Sequence, residues 1–345
     1  MQRVGKIVKI LVKVPYFERL LVSDRFLSRL RKILEVIPPN KTVVKDLRRI
    51  SPDVLIVTSN LPWDAQELDY LKAASFLGIP AVLQVASWDN LTTKSTFNII
   101  PDKILLWNQA IKEEAVVLHG VPPEKIVVTG AATFDYIFSY NPTRTHMELG
   151  QLAGLKTEEP YIVYLGSSTS IAGDESLFIR EFARRVFERL KIRVLIRPHP
   201  INYRVWATFN EPECVVWPQK GELPDTVDTK QDFLDTLYHS VAVVGVNTSA
   251  MIEAAIMDKP CISIKADQFA SSQSEASHFR HLVNGQFLDI VENIDEAVAS
   301  IGRILDGNDK LKESRKAFVA SFIRPNGLEK NVGTLIASTL LAVSH

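Results

Sequence analysis

The sequence predicts an α/β protein of two Rossmann-like, doubly wound domains. At 345 residues the chain is long enough for two cores. Short apolar runs without polar alternation recur between helix-like segments, which marks parallel strands covered on both faces. The pattern halts once, in a polar, turn-rich stretch, and then restarts.

The first clear strand is Val54–Val57, followed by a helix near Ala65–Leu77. Strands at Ala81–Val85 and Lys103–Trp107 come next, then a helix over Gln109–Leu118 and a strand at Ile126–Thr129. Residues 1–138 form the expected N-terminal domain. Residues 139–158, with Asn141-Pro142-Thr143 and Gly150, read as a linker. The second domain, 159–345, has strands at Tyr161–Leu165, Arg193–Ile196, Cys214–Trp217, Val241–Val246 and Cys261–Ile264. Its helices are expected at Glu175–Arg189, Ser249–Met257, Asp295–Leu305, Asp309–Phe322 and from about Leu328. Two such domains in tandem imply a cleft between them.

Composition narrows the function. Forty Lys and Arg balance forty Asp and Glu, so no global field draws nucleic acid. Both cysteines, Cys214 and Cys261, sit in apolar runs and read as buried thiols of a cytoplasmic protein. No apolar run reaches the length of a membrane span, and no signal peptide is visible. Residues 1–35 carry nine basic against three acidic side chains, interleaved with Leu and Ile. One reading is a peripheral surface resting on anionic lipid at the inner face of the cell membrane. The other, preferred because Pro15 interrupts the run, is an ordinary amphipathic face.

Open α/β sheets bind ligands at the carboxyl ends of their strands, and there the second domain gathers its polar groups. Gly166-Ser167-Ser168-Thr169-Ser170 follows one strand, Arg197-Pro198-His199-Pro200 another, Asn247-Thr248-Ser249 a third, and Lys265 the fourth. One binding site explains all four. Arg197 brings a fork of donors suited to phosphate, and His199 a group that donates or takes a proton near neutral pH. Ser249 opens a helix, whose N-terminal N–H groups attract anions. Glu253 lies one turn on, placed to hold a ribose while Ser167, Ser168, Asn247, Thr248 and Ser249 hold phosphate. Gln273 and His278 lie in a polar loop placed to close over the ligand. In the first domain Asp89 and Asn108 follow strands, with Trp88 as a sugar platform or a core residue. Asp89 is a candidate proton acceptor on that side. The sequence contains no Asp-x-Asp triplet, no Gly-x-Gly-x-x-Gly, no P-loop and no Gly-x-Ser-x-Gly. Diphosphate charge is therefore assigned to helix dipoles and basic side chains, with neither metal nor cofactor.

The segment from His119 to Gly130 resembles the end of the first domain in the GT-B superfamily of nucleotide-sugar glycosyltransferases and in UDP-N-acetylglucosamine 2-epimerases. Val244–Ala255, followed by Lys259-Pro260, resembles their donor-binding turn and helix. Arg197-Pro198-His199-Pro200 resembles the basic-Pro-His-Pro segment of CDP-glycerol glycerophosphotransferases, which implies phosphate contacts for His199 and Ser249. The opening of the chain departs from the superfamily. Either the N-terminal domain is truncated, or residues 7–14 supply a first strand without its glycine turn. The resemblance implies a metal-independent transferase that moves a sugar from a nucleotide diphosphate donor to a surface-glycan or lipid-linked acceptor. His199 or His278 would stabilise the leaving diphosphate. A CDP-polyol phosphotransferase, a UDP-sugar 2-epimerase and a binding module without turnover are the alternatives on the same fold.

Overall fold

The computed structural model describes residues 23, 26, 29, 32–34, 36–58, 65–94, 97–155, 159–169, 171–220, 223–273 and 276–344. The strand expected at 7–14 and nearly all of the basic run 1–35 lie outside these residues. Two compact units emerge, one of residues 1–128 with 334–345, the other of 129–333.

In the first unit, helix α1 (Lys41–Ile50) opens on Asn40, whose side chain accepts from Thr42 N at 3.0 Å. Strand β1 (Leu55–Val57), helix α2 (Ala65–Leu77), β2 (Ala81–Gln84), β3 (Lys103–Leu106), helix α3 (Gln109–His119) and β4 (Ile126–Val128) follow. The four strands pair in parallel in the order β1-β2-β3-β4. Val82, Leu83, Ile104, Leu105 and Leu106 are buried on both faces of this sheet, as their unbroken apolar runs require. Asn108 caps α3 by accepting from Ile111 N at 2.9 Å, and Trp88 is buried. Asn108 thus serves as a helix cap, which corrects its expected place facing a ligand, and Trp88 takes the core position that was one of its two readings.

The second unit begins right after β4. Gly130 has φ +104°, and a Cβ there would lie 2.8 Å from Ile323 O and from Val332 Cγ2. Only glycine fits this approach. Helix α4 (Asp135–Phe138) is pinned by its first residue. Asp135 pairs with Arg324 at 2.7 Å and accepts from Gly333 N at 2.9 Å. Helix α5 (His146–Ala153) falls inside the stretch expected to be a linker and opens on a capping box of Thr145 and Glu148. The preceding turn is anchored by buried Asp235, which accepts from Tyr140 Oη (2.6 Å), Thr143 N (2.9 Å) and Thr143 Oγ1 (2.6 Å). Those long-range bonds are why 139–155 folds with the second unit.

Then come β5 (Tyr161–Leu165), α6 (Ser176–Leu190), β6 (Arg193–Arg197), β7 (Cys214–Val216), α7 (Val227–Tyr238), β8 (Val243–Gly245), α8 (Ala250–Ile256), β9 (Cys261–Ile264), α9 (Phe279–Asn284), β10 (Leu288–Val291), α10 (Ile294–Leu305) and α11 (Lys312–Phe318). The last helix, α12 (Val332–Val343), belongs from Thr334 onward to the first unit. The sheet is wholly parallel, in the order β10-β9-β8-β5-β6-β7. Ile162, Tyr164, Val194, Ile196, Val244 and Ile262 from its strands pack with Ile179, Phe182 and Val186 of α6 and Val298 and Ile301 of α10. The chain runs outward from β5 through β6 to β7, then returns to lay β8 on the other side of β5. At such a switch point the connections leave on opposite faces and open a crevice above the strand ends. Among the described residues, no helix is long and apolar enough to cross a membrane.

Candidate functional site at the β5–β8 switch point

Three polar loops meet at the carboxyl ends of β6, β5 and β8. In the sheet register Leu165 lies opposite Arg197 on one side and Gly245 on the other. Gly166 N donates to Arg197 O at 2.9 Å. A Cβ on Gly166 would stand 3.2 Å from His199 N, so the missing side chain lets the two loops close up. Behind them Ala172, Val246 and buried Phe269 form a small apolar cluster that joins the loops after β5, β8 and β9.

The loop after β5 is held from within. Buried Glu175 accepts from Tyr164 Oη (2.6 Å), Ser167 N (2.8 Å) and Ser167 Oγ (2.9 Å). Burial pushes its carboxyl up, while these three bonds oppose that shift. Buried Asn202 donates to the carbonyls of Ser167, Ala172 and Gly173. Ser167 therefore spends both donors on the loop itself, which corrects its expected phosphate role. Ser168 and Thr169 reach the surface.

Arg197 is likewise committed. Its Nη1 donates to Asp232 Oδ2 at 2.7 Å and to Thr236 Oγ1 at 2.8 Å, with both charged side chains buried. Its guanidinium lies 5.2 Å over the Phe233 ring. An inward ion pair replaces the expected outward fork. His199, two residues on, is half-buried, and its Nδ1 accepts from Ile201 N at 3.2 Å. That bond puts the ring proton on Nε2, and burial lowers the pKa, so the ring is a neutral Nε2 donor at neutral pH.

After β8, Asn247 is buried, Thr248 Oγ1 accepts from Ala250 N at 3.3 Å, and Ser249 is exposed. Ser249 makes no side-chain cap bond and is exposed at the start of α8. Glu253 follows one turn later. Burial pushes its carboxyl up to about 7, with Tyr136 and Arg197 opposing. Tyr136 Oη donates to Glu253 Oε1 at 3.3 Å.

No protein-family model matches the chain, and no curated protein does. Solved structures do match. A Listeria monocytogenes protein assigned as a UDP-N-acetylglucosamine 2-epimerase aligns with TM-score 0.61 at 15% identity, over 91% of this chain and 78% of its own. The Methanocaldococcus jannaschii UDP-GlcNAc 2-epimerase in complex with UDP-GlcNAc and UDP aligns with TM-score 0.54 at 15% identity, over 92% and 81%. A glycosyltransferase from Rickettsia africae aligns with TM-score 0.53 at 12% identity, over 98% and 88%. The chain has the GT-B fold.

Other expected residues sit elsewhere in the GT-B scaffold. Gln273 is buried, and its Nε2 donates to Val246 O at 2.9 Å and Ile264 O at 3.0 Å. It stitches two strand ends together and does not close over a ligand. His278 heads α9 at the far side of that loop, half-buried. Ser170, Ser274 and Glu275 lie outside the described residues. Lys265 is exposed and paired with Glu292 at 2.6 Å. In the first unit, Asp89 accepts from Ser87 Oγ at 2.6 Å and pairs with Lys94 at 2.5 Å. Those bonds close the 87–94 turn and account for Asp89 structurally. Tyr136 and Asp232 were not legible as site residues, because each reaches the loops from a helix away from the strand ends; Glu175 and Asn202 lie in the loops after β5 and β6, past the polar runs that mark the strand ends.

Proposed function

We propose that the second unit binds a nucleotide diphosphate sugar above β5 and β8, and that the protein transfers the sugar to a surface-glycan or lipid-linked acceptor in the cytoplasm. The observation that carries this is the placement of Glu253 one turn behind the exposed Ser249 at the switch point. A carboxylate there accepts from ribose hydroxyls, while the Ser249 hydroxyl, the Thr248–Ala250 turn and the Nε2 donor of His199 meet phosphate oxygens. As the bond from the anomeric carbon to the diphosphate breaks, negative charge grows on the leaving oxygen. A fixed donor such as His199 Nε2–H stabilises that charge without reorganising. No metal ion is assigned a part. The buried, unlinked thiols Cys214 and Cys261 suit a reducing compartment. The acceptor hydroxyl gives up its proton to a base as the new glycosidic bond forms.

The solved epimerases give a second reading specific support, since two of them align over nine-tenths of this chain. A turnover assay separates the two. UDP-GlcNAc, other nucleotide sugars and CDP-glycerol are each incubated with and without glycan or polyprenyl-phosphate acceptors. The expected result is nucleoside diphosphate released from a nucleotide sugar only when acceptor is present. A C2-epimerised donor formed without acceptor replaces the transferase by the epimerase. Cytidine monophosphate released from CDP-glycerol replaces it by the phosphotransferase. No product from any donor leaves a binding module.

A further inference from the structure

Glu253 sits half-buried in the proposed ribose site, and among the described residues Tyr136 Oη is the donor that reaches it. Tyr136 arrives from α4, a short helix held by several independent contacts. Asp135 ties its start to Arg324 and Gly333. Arg324 also lies 3.5 Å over the Phe138 ring at its end. Lys230 of α7 stands 5.3 Å over the Tyr136 ring. The phenol is therefore held in place by elements remote from the ligand.

The other charges around α8 are already matched. From α11, Arg315 is met by Asp258 at 2.7 Å and Asp309 at 2.6 Å. From α4, Asp135 is met by Arg324, and from β6, Arg197 is met by Asp232. The thiol of Cys261 on β9 is pushed up to about 12 by burial and stays neutral. Lys230 faces the ring of Tyr136. The phenol hydroxyl is thus the group that favours a charged carboxyl at 253 by a direct hydrogen bond, beside the field of Arg197. At 3.3 Å the bond is long for O–H···O, and a charged acceptor shortens such bonds.

We propose that Tyr136 is a positioning residue for nucleotide binding: its hydroxyl holds Glu253 in the charged, accepting form that ribose hydroxyls require. This rests on the nucleotide reading above. Ribose binding then competes with a proton for the same carboxylate. Loss of the phenol hydroxyl costs most at the acid end, where the proton wins, and disappears once pH is high enough to remove the proton.

The test is calorimetric titration with UDP as the probe, from about pH 6 to about pH 9. Wild type, Tyr136→Phe, Glu253→Gln and the double variant are compared. Glu253→Gln supplies the background for titration of the UDP phosphate itself. The expected result is a roughly tenfold weakening by Tyr136→Phe at the acid end, closing towards wild type at the alkaline end. In the Glu253→Gln background, Tyr136→Phe changes nothing. A loss uniform across pH, or an equal loss in both backgrounds, overturns the inference and leaves the nucleotide site standing. Wild type failing to bind UDP at any pH, or Glu253→Gln binding as tightly as wild type, overturns the ribose assignment and this inference with it.

Discussion

Arg197→Ala will lose roughly 3–5 kcal/mol of folding stability, the usual cost of breaking a buried ion pair from one side. Arg197 and Asp232 are 7% and 12% exposed at their side chains. Without the guanidinium, Asp232 keeps Trp217 Nε1 at 3.2 Å and the more distant Arg144 at 3.6 Å. Thr236 Oγ1 loses its donor as well. Urea denaturation of the variant checks this. A protein as stable as wild type but deficient in nucleotide binding would return Arg197 to the outward phosphate role.

Glu253→Gln will stabilise the protein at alkaline pH by up to about 3 kcal/mol while weakening donor binding. Burial raises the Glu253 carboxyl from its ordinary 4.5 to about 7. Between those values the folded state holds a proton that the unfolded state has released. Stability from this group is therefore full below about 4.5, falls as pH rises, and is gone above about 7. Glutamine stays neutral and removes that slope. Denaturation of both proteins across this window measures it; parallel curves would show that the carboxyl titrates normally. On the proposed nucleotide reading, ribose hydrogen bonds made on binding offset this loss of stability.

Much of the scaffold was legible because burial on both sheet faces leaves unbroken apolar runs such as Val82-Leu83 and Ile104-Leu105-Leu106. Strand β10 was missed because Asp289 interrupts its run. In the fold that side chain is met at the sheet edge by Ser300 and Arg303. Helix α7 was missed because its buried face carries Asp232, Asp235 and Thr236 among Phe233, Leu234 and Leu237. Those polar groups make sense only with Arg197, Tyr140 and Thr143 in place. The site shows the same division. Loop positions at strand ends follow from chain order, so 166–169, 197–199 and 247–249 were correctly brought together. Side-chain direction depends on partners far away in sequence. Ser167 turned to Glu175, Arg197 to Asp232 and Gln273 to Val246, whereas Ser249 stays exposed and His199 half-buried. Tyr136 needed the closure of α4 onto α8 and had no local signature.

The central claim is that the β5–β8 crevice holds a nucleotide. Titration of the wild-type chain and Glu253→Ala with UDP, CDP and GDP tests it most directly. Saturable binding of one nucleotide by wild type, weakened at least tenfold in Glu253→Ala, is the predicted result. Absence of binding by all three, or equal binding by both proteins, would contradict it.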